Sequence, residues 1–558
     1  MLPRTVVAAV LWICLPGWTA QATAAELDSG ARATAPKAPT IDTLPAFAAR
    51  LNASLATELG PPRAAKSRKQ DALREDQAFL RGAYLDLVGD LPTPTEIRRF
   101  VEDSRAEKRA ALVQRLLADP RFGENQAHYW RDLMLARRSD ERALIAGGAL
   151  VDHLTREFNA GAPWDQIASG FITAAGDVRE DGRTALIMAQ MGQTAETAAE
   201  VSRIFLGVQI QCAQCHDHPT DRWKREQFHE LAAFFPRIAV RPDNSGERRT
   251  FRVVASDLTF RKRRPDNARR GTAEHYMPDL NDPAALGTLM QPALFATGQR
   301  LEPGQDDAER RGQLAAWLTS PDNPWFARAM VNRVWSELVG WGFYTAVDDL
   351  GPDRTCVAPK TLELLANEFA ARKYDVKWLF AAIMATSAYQ QPKSYAHVPA
   401  EHPEAAPAPA RLRPDPLFQA VQTALELRLP RGRLQAARPA MRAGPAGQFN
   451  DTFGYDPCTR GDELAGSIPQ ALLLMNGPLV ERALLASNPG GMLNRTLRAM
   501  PDDRAAATEL YLRCLSRDPT DEELRTCLQY LRRAPSRSEG FEDILWSLVN
   551  SSEFIHRR

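Results

Sequence analysis

Thr194–Pro236, TAETAAEVSRIFLGVQIQCAQCHDHPTDRWKREQFHELAAFFP, carries both the helical signature and the chemistry of this 558-residue chain. After a cap at Thr194, the apolar residues Val201, Ile204, Phe205 and Val208 recur at the i, i+3, i+4, i+7 spacing of one helix face. Phe228, Leu231, Ala232 and Phe235 repeat that spacing until Pro236 stops it. The reading is two amphipathic helices joined by a turn. On that turn stand Cys212-Ala213-Gln214-Cys215-His216, at what the pattern suggests is a buried edge suited to a flat apolar ring.

Cys-x-x-Cys-His is the arrangement that attaches a c-type haem. Two thiols three residues apart can each form a thioether to one porphyrin vinyl group, and the adjacent imidazole, His216, is held against the iron as proximal ligand. With seven Cys and nine His in the chain, random placement gives about 0.001 occurrences of the motif. The distal ligand is not legible: Met188, Met191, His128, His218 and His229 are the candidates. A Met there would raise the potential relative to a second His. Two other uses of the pair stay open. One is a disulfide or reduced pair that pins the turn. The other is a tetrahedral zinc set of Cys212, Cys215, His218 and His229, which leaves His216 idle beside the metal. A thioredoxin-type role is weakest, because no βαβ pattern surrounds the motif.

The N-terminus points to export. Arg4 supplies a positive start, Val6 to Leu15 a short apolar core, and Ala20-Gln21-Ala22 and Ala22-Thr23-Ala24 small-x-small cleavage sites. That core is too short for a permanent span, and no later apolar run approaches ~18 residues. Cys14 lies inside it after Ile13, which argues against a lipoprotein anchor. The expectation is a periplasmic or extracellular protein with no integral membrane segment after signal removal. Haem attachment is extracytoplasmic in bacteria, so location and motif agree. Cys356, Cys458, Cys514 and Cys527 lie far from the pair and do not make a disulfide-dense scaffold. With 70 basic against 69 acidic residues, nothing global argues for nucleic acid as a partner. The Arg261-Lys262-Arg263-Arg264 run reads as solvated loop.

Along the chain, 1–25 read as signal peptide and 26–72 as a flexible linker with room for one short helix. Residues 73–238 read as a helical domain carrying the motif, 239–303 as a β/loop insertion or linker, and 304–558 as a second helical domain. The short strands expected in the insertion are Thr250–Val254 and Leu258–Phe260. The stretches 393–415 and 428–460 read as loops. One piece recurs: Pro92-Thr93-Pro94-Thr95-Glu96 and Pro519-Thr520-Asp521-Glu522-Glu523 both follow a helix and both spell a capping box. A second echo follows each, at Asp119-Pro120-Arg121-Phe122 and Ser551-Ser552-Glu553-Phe554. The fold class is therefore mainly α, two helical domains with a helical-hairpin unit reused in both halves.

Two blocks carry a family resemblance. Arg203 through Trp223, with Tyr84-Leu85-Asp86-Leu87 to Pro94, resembles the planctomycete-type cytochrome-like domain of unknown function (PSCyt-type). Leu318 to Arg328, Val347-Asp348-Asp349-Leu350-Gly351-Pro352 and Gln470 to Pro478 resemble the companion domain that usually follows it (PSD-type). The resemblance implies an exported bacterial protein, cytochrome-like in its first domain, and no established reaction. In that family the residue before the tryptophan of the Trp130 region is often His, whereas here it is Tyr129, with His128 one place earlier.

No Gly-x-Ser-x-Gly, Walker or dinucleotide fingerprint occurs, so an enzymatic role has no motif behind it. Asp348-Asp349 and Asp451 to Asp456 read as turn chemistry. The functional expectation is an electron-transfer protein with covalent haem c and an unidentified redox or periplasmic protein partner. The alternative is an extracytoplasmic scaffold whose Cys/His cluster is structural.

Overall fold

A computed structural model describes residues 43–60, 69–245, 249–255, 274–282, 284–302, 304–390, 411–427, 444–460 and 463–557. The signal segment with Cys14, the Leu258–Phe260 strand and the Arg261–Arg264 run lie outside them. The fold is mainly α. Among the described residues the largest sheet is antiparallel and three-stranded, with Thr250–Ala255 between Ile238–Asp243 and the short Gly176–Asp177. Two small ribbons follow, Tyr276–Met277 with Thr288–Leu289 and Ala293–Leu294 with Gln299–Arg300. Among the described residues no helix is long and apolar enough to cross a membrane.

Leu44–Arg558 form one compact unit, and its buried apolar side chains fall into two cores. The first runs from Phe47 to Tyr389 and also takes in Leu512, and the second runs from Leu412 to Phe554 with Leu85 and Leu91 joining it. Helices on both sides of the 239–303 insertion therefore contribute to the first core. The helices Asp307–Leu318 and Pro324–Val339 bury their apolar faces against Trp164–Thr173 and Ser202–Leu206. Buried Arg311 ties the first contact, donating to the carbonyls of Ile172 and Ala174 at 2.9 and 2.8 Å.

Two stretches read as linker or loop hold helices, the first being the one helix the linker reading left room for. Leu44–Leu59 buries Phe47, Ala48, Leu51 and Leu55 on one face and packs on the helices Pro359–Ala371 and Val376–Met384. Pro445–Phe453 buries Phe449 and Phe453. In both, a spaced apolar face outweighs an Ala-, Pro- or Gly-rich composition.

The repeated unit is present in three dimensions. Helix Pro94–Glu102 starts with the Thr93/Glu96 capping box and Asp521–Leu531 with the Thr520/Glu523 box. Four residues before each capping Thr the chain is left-handed, at Gly89 (φ 64°) and Ser516 (φ 57°). A tyrosine precedes each of these by five positions. Tyr84 donates to Glu96 of its box at 2.5 Å. Tyr511 lies near Glu523, whose charge, after burial, helps push that phenol upward. The Pro-Thr-x-x-Glu echo is thus one end of a longer unit of helix, left-handed stop and capped helix.

Candidate functional site

The helix Thr194–Val201 leads toward the motif; Gln193, not Thr194, is its N-cap and makes no side-chain cap bond. It continues as a π-turn, Ser202–Leu206, and stops at Gly207 (φ 64°). A side chain at Gly207 would be strained by that φ and would meet Leu350 Cδ1 at 2.8 Å. The widened turn lets Ser202 Oγ donate to the Val208 carbonyl at 2.8 Å, while Val201, Ile204, Phe205 and Val208 all stay fully buried. The motif then begins in a 3₁₀ turn, Ile210–Gln214, with Cys215 as its cap.

Ile210 and Ala213 are the buried residues of that turn, and Cys212, Cys215 and His216 are exposed. The buried edge expected from the apolar stripes is therefore corrected: the 3₁₀ register turns Ile210 and Ala213 inward and the thiols outward. Both thiols are free. His216 Nδ1 lies 2.7 Å from the Asp217 carbonyl. A carbonyl only accepts, so Nδ1 carries the proton and Nε2 of the neutral ring is left as the ligating atom. Asp217 itself is held below the usual carboxylate range by the Lys224 ammonium and the Arg225 amide.

Of the other residues singled out, the structure brings His218 and His229 to the turn. The His218 amide donates to the Trp223 carbonyl at 2.8 Å, and its Nδ1 accepts from Thr220 at 3.3 Å. That closes a loop whose Trp223 packs on Phe295 and Trp325. His229 is 2% exposed beneath the motif. Its Nε2 lies 3.0 Å from the Gln214 carbonyl and its Nδ1 2.9 Å from His275 Nε2. With both ring nitrogens engaged it is not a zinc ligand in this arrangement. Among the described residues no group of three or more His, Cys, Asp or Glu side chains is gathered for a metal ion. The remaining distal candidates stand elsewhere. His128 faces Asp415 at 3.5 Å, Met188 is buried in the first core, and half-buried Met191 (φ 52°) forms a turn with Gly192 against Val240.

The turn is clamped by the second block. Asp348, read from sequence as turn chemistry, is 2% exposed. Its carboxylate accepts from Arg203 at 3.0 Å and from Gln209 at 2.7 Å. Burial opposes its ionisation, but the Arg203 and Arg137 guanidiniums outweigh burial and hold it below the usual carboxylate range. Arg203, equally buried, also pairs with Glu200 at 2.6 Å. The Leu350 amide donates to the Gly207 carbonyl at 2.6 Å. Arg354 donates to Thr220 O and Oγ1 at 3.1 and 3.0 Å. Cys458 is a free thiol 3.7 Å from Arg203, and burial pushes its pKa up. An arginine inside an apolar stripe signals a buried carboxylate, but nothing local says which. His275, too, had no signal in the sequence.

The buried imidazoles make stability depend on pH. Burial pulls His229 and His275 from 6.5 to about 4, and burial also lowers His128 and His153. A depressed imidazole stays neutral in the folded chain while the unfolded chain takes up a proton, so its contribution is present above 6.5 and is lost as pH falls toward 4. Urea midpoints should fall steadily between pH 7 and pH 4.5, with a smaller fall in His275→Gln. A flat profile across that interval contradicts the assignment.

Residues 63–240 match the family model PSCyt2, a protein of unknown function (DUF1549), and residues 310–419 match PSD1, a protein of unknown function (DUF1553). No curated protein and no solved structure matches the chain. The clamp therefore joins the two matched regions, Arg203 and the cysteine turn in the first and Asp348 to Arg354 in the second. The chain therefore carries a region that matches PSCyt2 followed by a region that matches PSD1, in that order along its length.

Proposed function

We propose that this chain is an exported, cytochrome-like protein that holds one covalent haem c on the Cys212–His216 turn and passes electrons to a protein partner. The observation that carries the reading is the donor set: two exposed free thiols three residues apart, beside an imidazole whose Nδ1 is tied to Asp217 O at 2.7 Å. Cys212 and Cys215 would hold the porphyrin, and His216 Nε2 would be the proximal ligand. Bound there, haem supplies one-electron chemistry at an iron whose potential follows from its axial ligands and surroundings. The chain's part is to present the thiols to solvent, where attachment takes place, and to fix the imidazole by the Asp217 carbonyl. His128 and His229 are committed to Asp415 and to Gln214 and His275, so neither supplies the second axial ligand in this arrangement.

The test is to express the whole chain with a c-type haem maturation system in an oxidising compartment. The purified protein should stay red in denaturant and show a reduced α-band in pyridine. Cys212→Ala and Cys215→Ala should each remove most of the attached haem. A colourless protein with both thiols titratable, or joined as a disulfide, overturns the proposal and leaves the scaffold reading.

A further inference from the structure

Among the described residues, His229 is the polar side chain that grips the backbone between the two cysteines, and its grip has a direction. The Gln214 carbonyl can only accept, so His229 Nε2 must carry a proton across the 3.0 Å contact. His229 is neutral, so its Nδ1 is then a bare acceptor. The 2.9 Å contact with His275 Nε2 accordingly requires the proton on His275 Nε2 and leaves His275 Nδ1 bare. The two rings lie near-parallel, 5.1 Å between centroids, and only one arrangement of protons satisfies both contacts. The reverse tautomer of His229 would set its Nδ1–H against the His275 donor and leave its Nε2 lone pair facing the Gln214 carbonyl.

His275 is itself held at both sides. Glu274 pairs with Arg237 and Arg310, each at 2.8 Å. Arg225 donates to the Pro278 carbonyl at 2.6 Å while its own amide donates to Asp217 at 3.1 Å. The Met290 amide closes the ribbon on the His275 carbonyl at 3.0 Å. The ribbon within the insertion thus acts as a strut under the cysteine turn.

We propose that His275 is a positioning residue for the attachment turn: by donating to His229 it fixes the His229 tautomer, the Gln214 carbonyl and so the relative placement of Cys212 and Cys215. The inference concerns the turn on which the haem reading also rests, but it is read on the haem-free chain, so the two can fail separately. The whole chain is compared with His275→Phe, which keeps a ring and loses the donor, and His275→Gln, which keeps an N–H donor. Amide hydrogen exchange of the Ile210–His216 segment should speed up roughly tenfold in His275→Phe, as expected for one lost hydrogen bond. It should return near the wild-type rate in His275→Gln, with the helix Pro359–Ala371 unchanged in all three. Equal exchange of the segment in wild type and folded His275→Phe overturns the proposal. Should that variant fail to fold, ¹⁵N shifts of histidine-labelled wild type decide: a proton on His229 Nδ1 overturns it, and a proton on His229 Nε2 with one on His275 Nε2 supports it. A colourless wild type with the exchange pattern intact would sink the haem reading alone.

Discussion

Replacing Asp348 with alanine should cost the chain about 3–5 kcal/mol, the usual penalty for removing one partner of a buried ion pair. Arg203 and Asp348 are each 2% exposed, so water cannot take over the missing partner. Arg203 keeps Glu200, but Arg333, also 2% exposed, donates among the described residues to backbone carbonyls, at 3.0 Å to Ile204 and 3.5 Å to Arg203. Losing Asp348 leaves two buried guanidiniums against one carboxylate, and strips Gln209 of its acceptor. Asp348→Asn keeps the shape and one carbonyl oxygen and should recover only part of the loss. The sign of the pH dependence follows from the carboxyl, which is held below its usual range. Its stabilisation is present above about pH 4 and is lost as pH falls through the folded value. The gap between wild type and Asp348→Ala should accordingly close in acid. Chemical denaturation at pH 7 measures the effect, and a loss under about 1 kcal/mol would falsify the ion pair as the element that locks the π-turn. Amide exchange of Ile210–His216 should rise as well, because the same carboxylate holds Gln209 next to the cysteine turn.

The parts legible in the sequence are those written in local chemistry. The stripe Val201, Ile204, Phe205, Val208 is fully buried as its spacing requires, and both capping boxes form with the residues that spell them. The helix Leu44–Leu59 was legible too, through Phe47, Leu51 and Leu55 on one face, but its Ala-rich surroundings read as linker. The Arg203–Asp348 pair spans 145 residues, and no local pattern couples an arginine to one of the chain's many carboxylates at that separation. The buried edge inferred for the thiols came from the two flanking apolar stripes, whereas the chain between them passes through a π-turn into a 3₁₀ turn. A change of period over ten residues rotates side chains from core to solvent, and a window tuned to 3.6 residues per turn averages over it. Composition marks the insertion clearly, but which helices share a core depends on whose apolar faces meet, and those of Asp307–Leu318 and Pro324–Val339 meet the first block.

The junction of the two cores rests on Arg81, and Arg81→Met should cost about 3 kcal/mol or more, since each buried acceptor left unpaired costs about 1–3 kcal/mol. The side chain is 6% exposed on the helix Lys69–Val88. It donates to the carbonyls of Cys514 at 3.1 Å, Glu553 at 3.0 Å and Phe554 at 3.2 Å. The first acceptor ends the helix Asp503–Leu515 and the other two lie in the short C-terminal helix Ser552–Ile555, so one guanidinium closes two helix C-termini, where the partial charge is negative. Burial lowers its pKa to about 10, which still leaves it charged at neutral pH. Methionine fills similar space but offers no donor, and lysine has one ammonium where the carbonyls call for a planar fork, so Arg81→Lys should fall between the two. Gln77, one helical turn earlier, bonds Asp518 at 2.9 Å and keeps the interface in register, which confines the loss to the terminal repeat. Limited proteolysis should therefore cut Arg81→Met first within 503–557 while the Ile210–His216 segment keeps its wild-type hydrogen exchange. Arg81 and Asp348 share no hydrogen-bond partner, so the double variant should lose the sum of the two penalties to within about 0.5 kcal/mol. A larger deviation would mean that the clamp on the cysteine turn and the C-terminal repeat are coupled through the shared first core, and cleavage spread evenly along the chain would mean that Arg81 is not what holds the repeat in place.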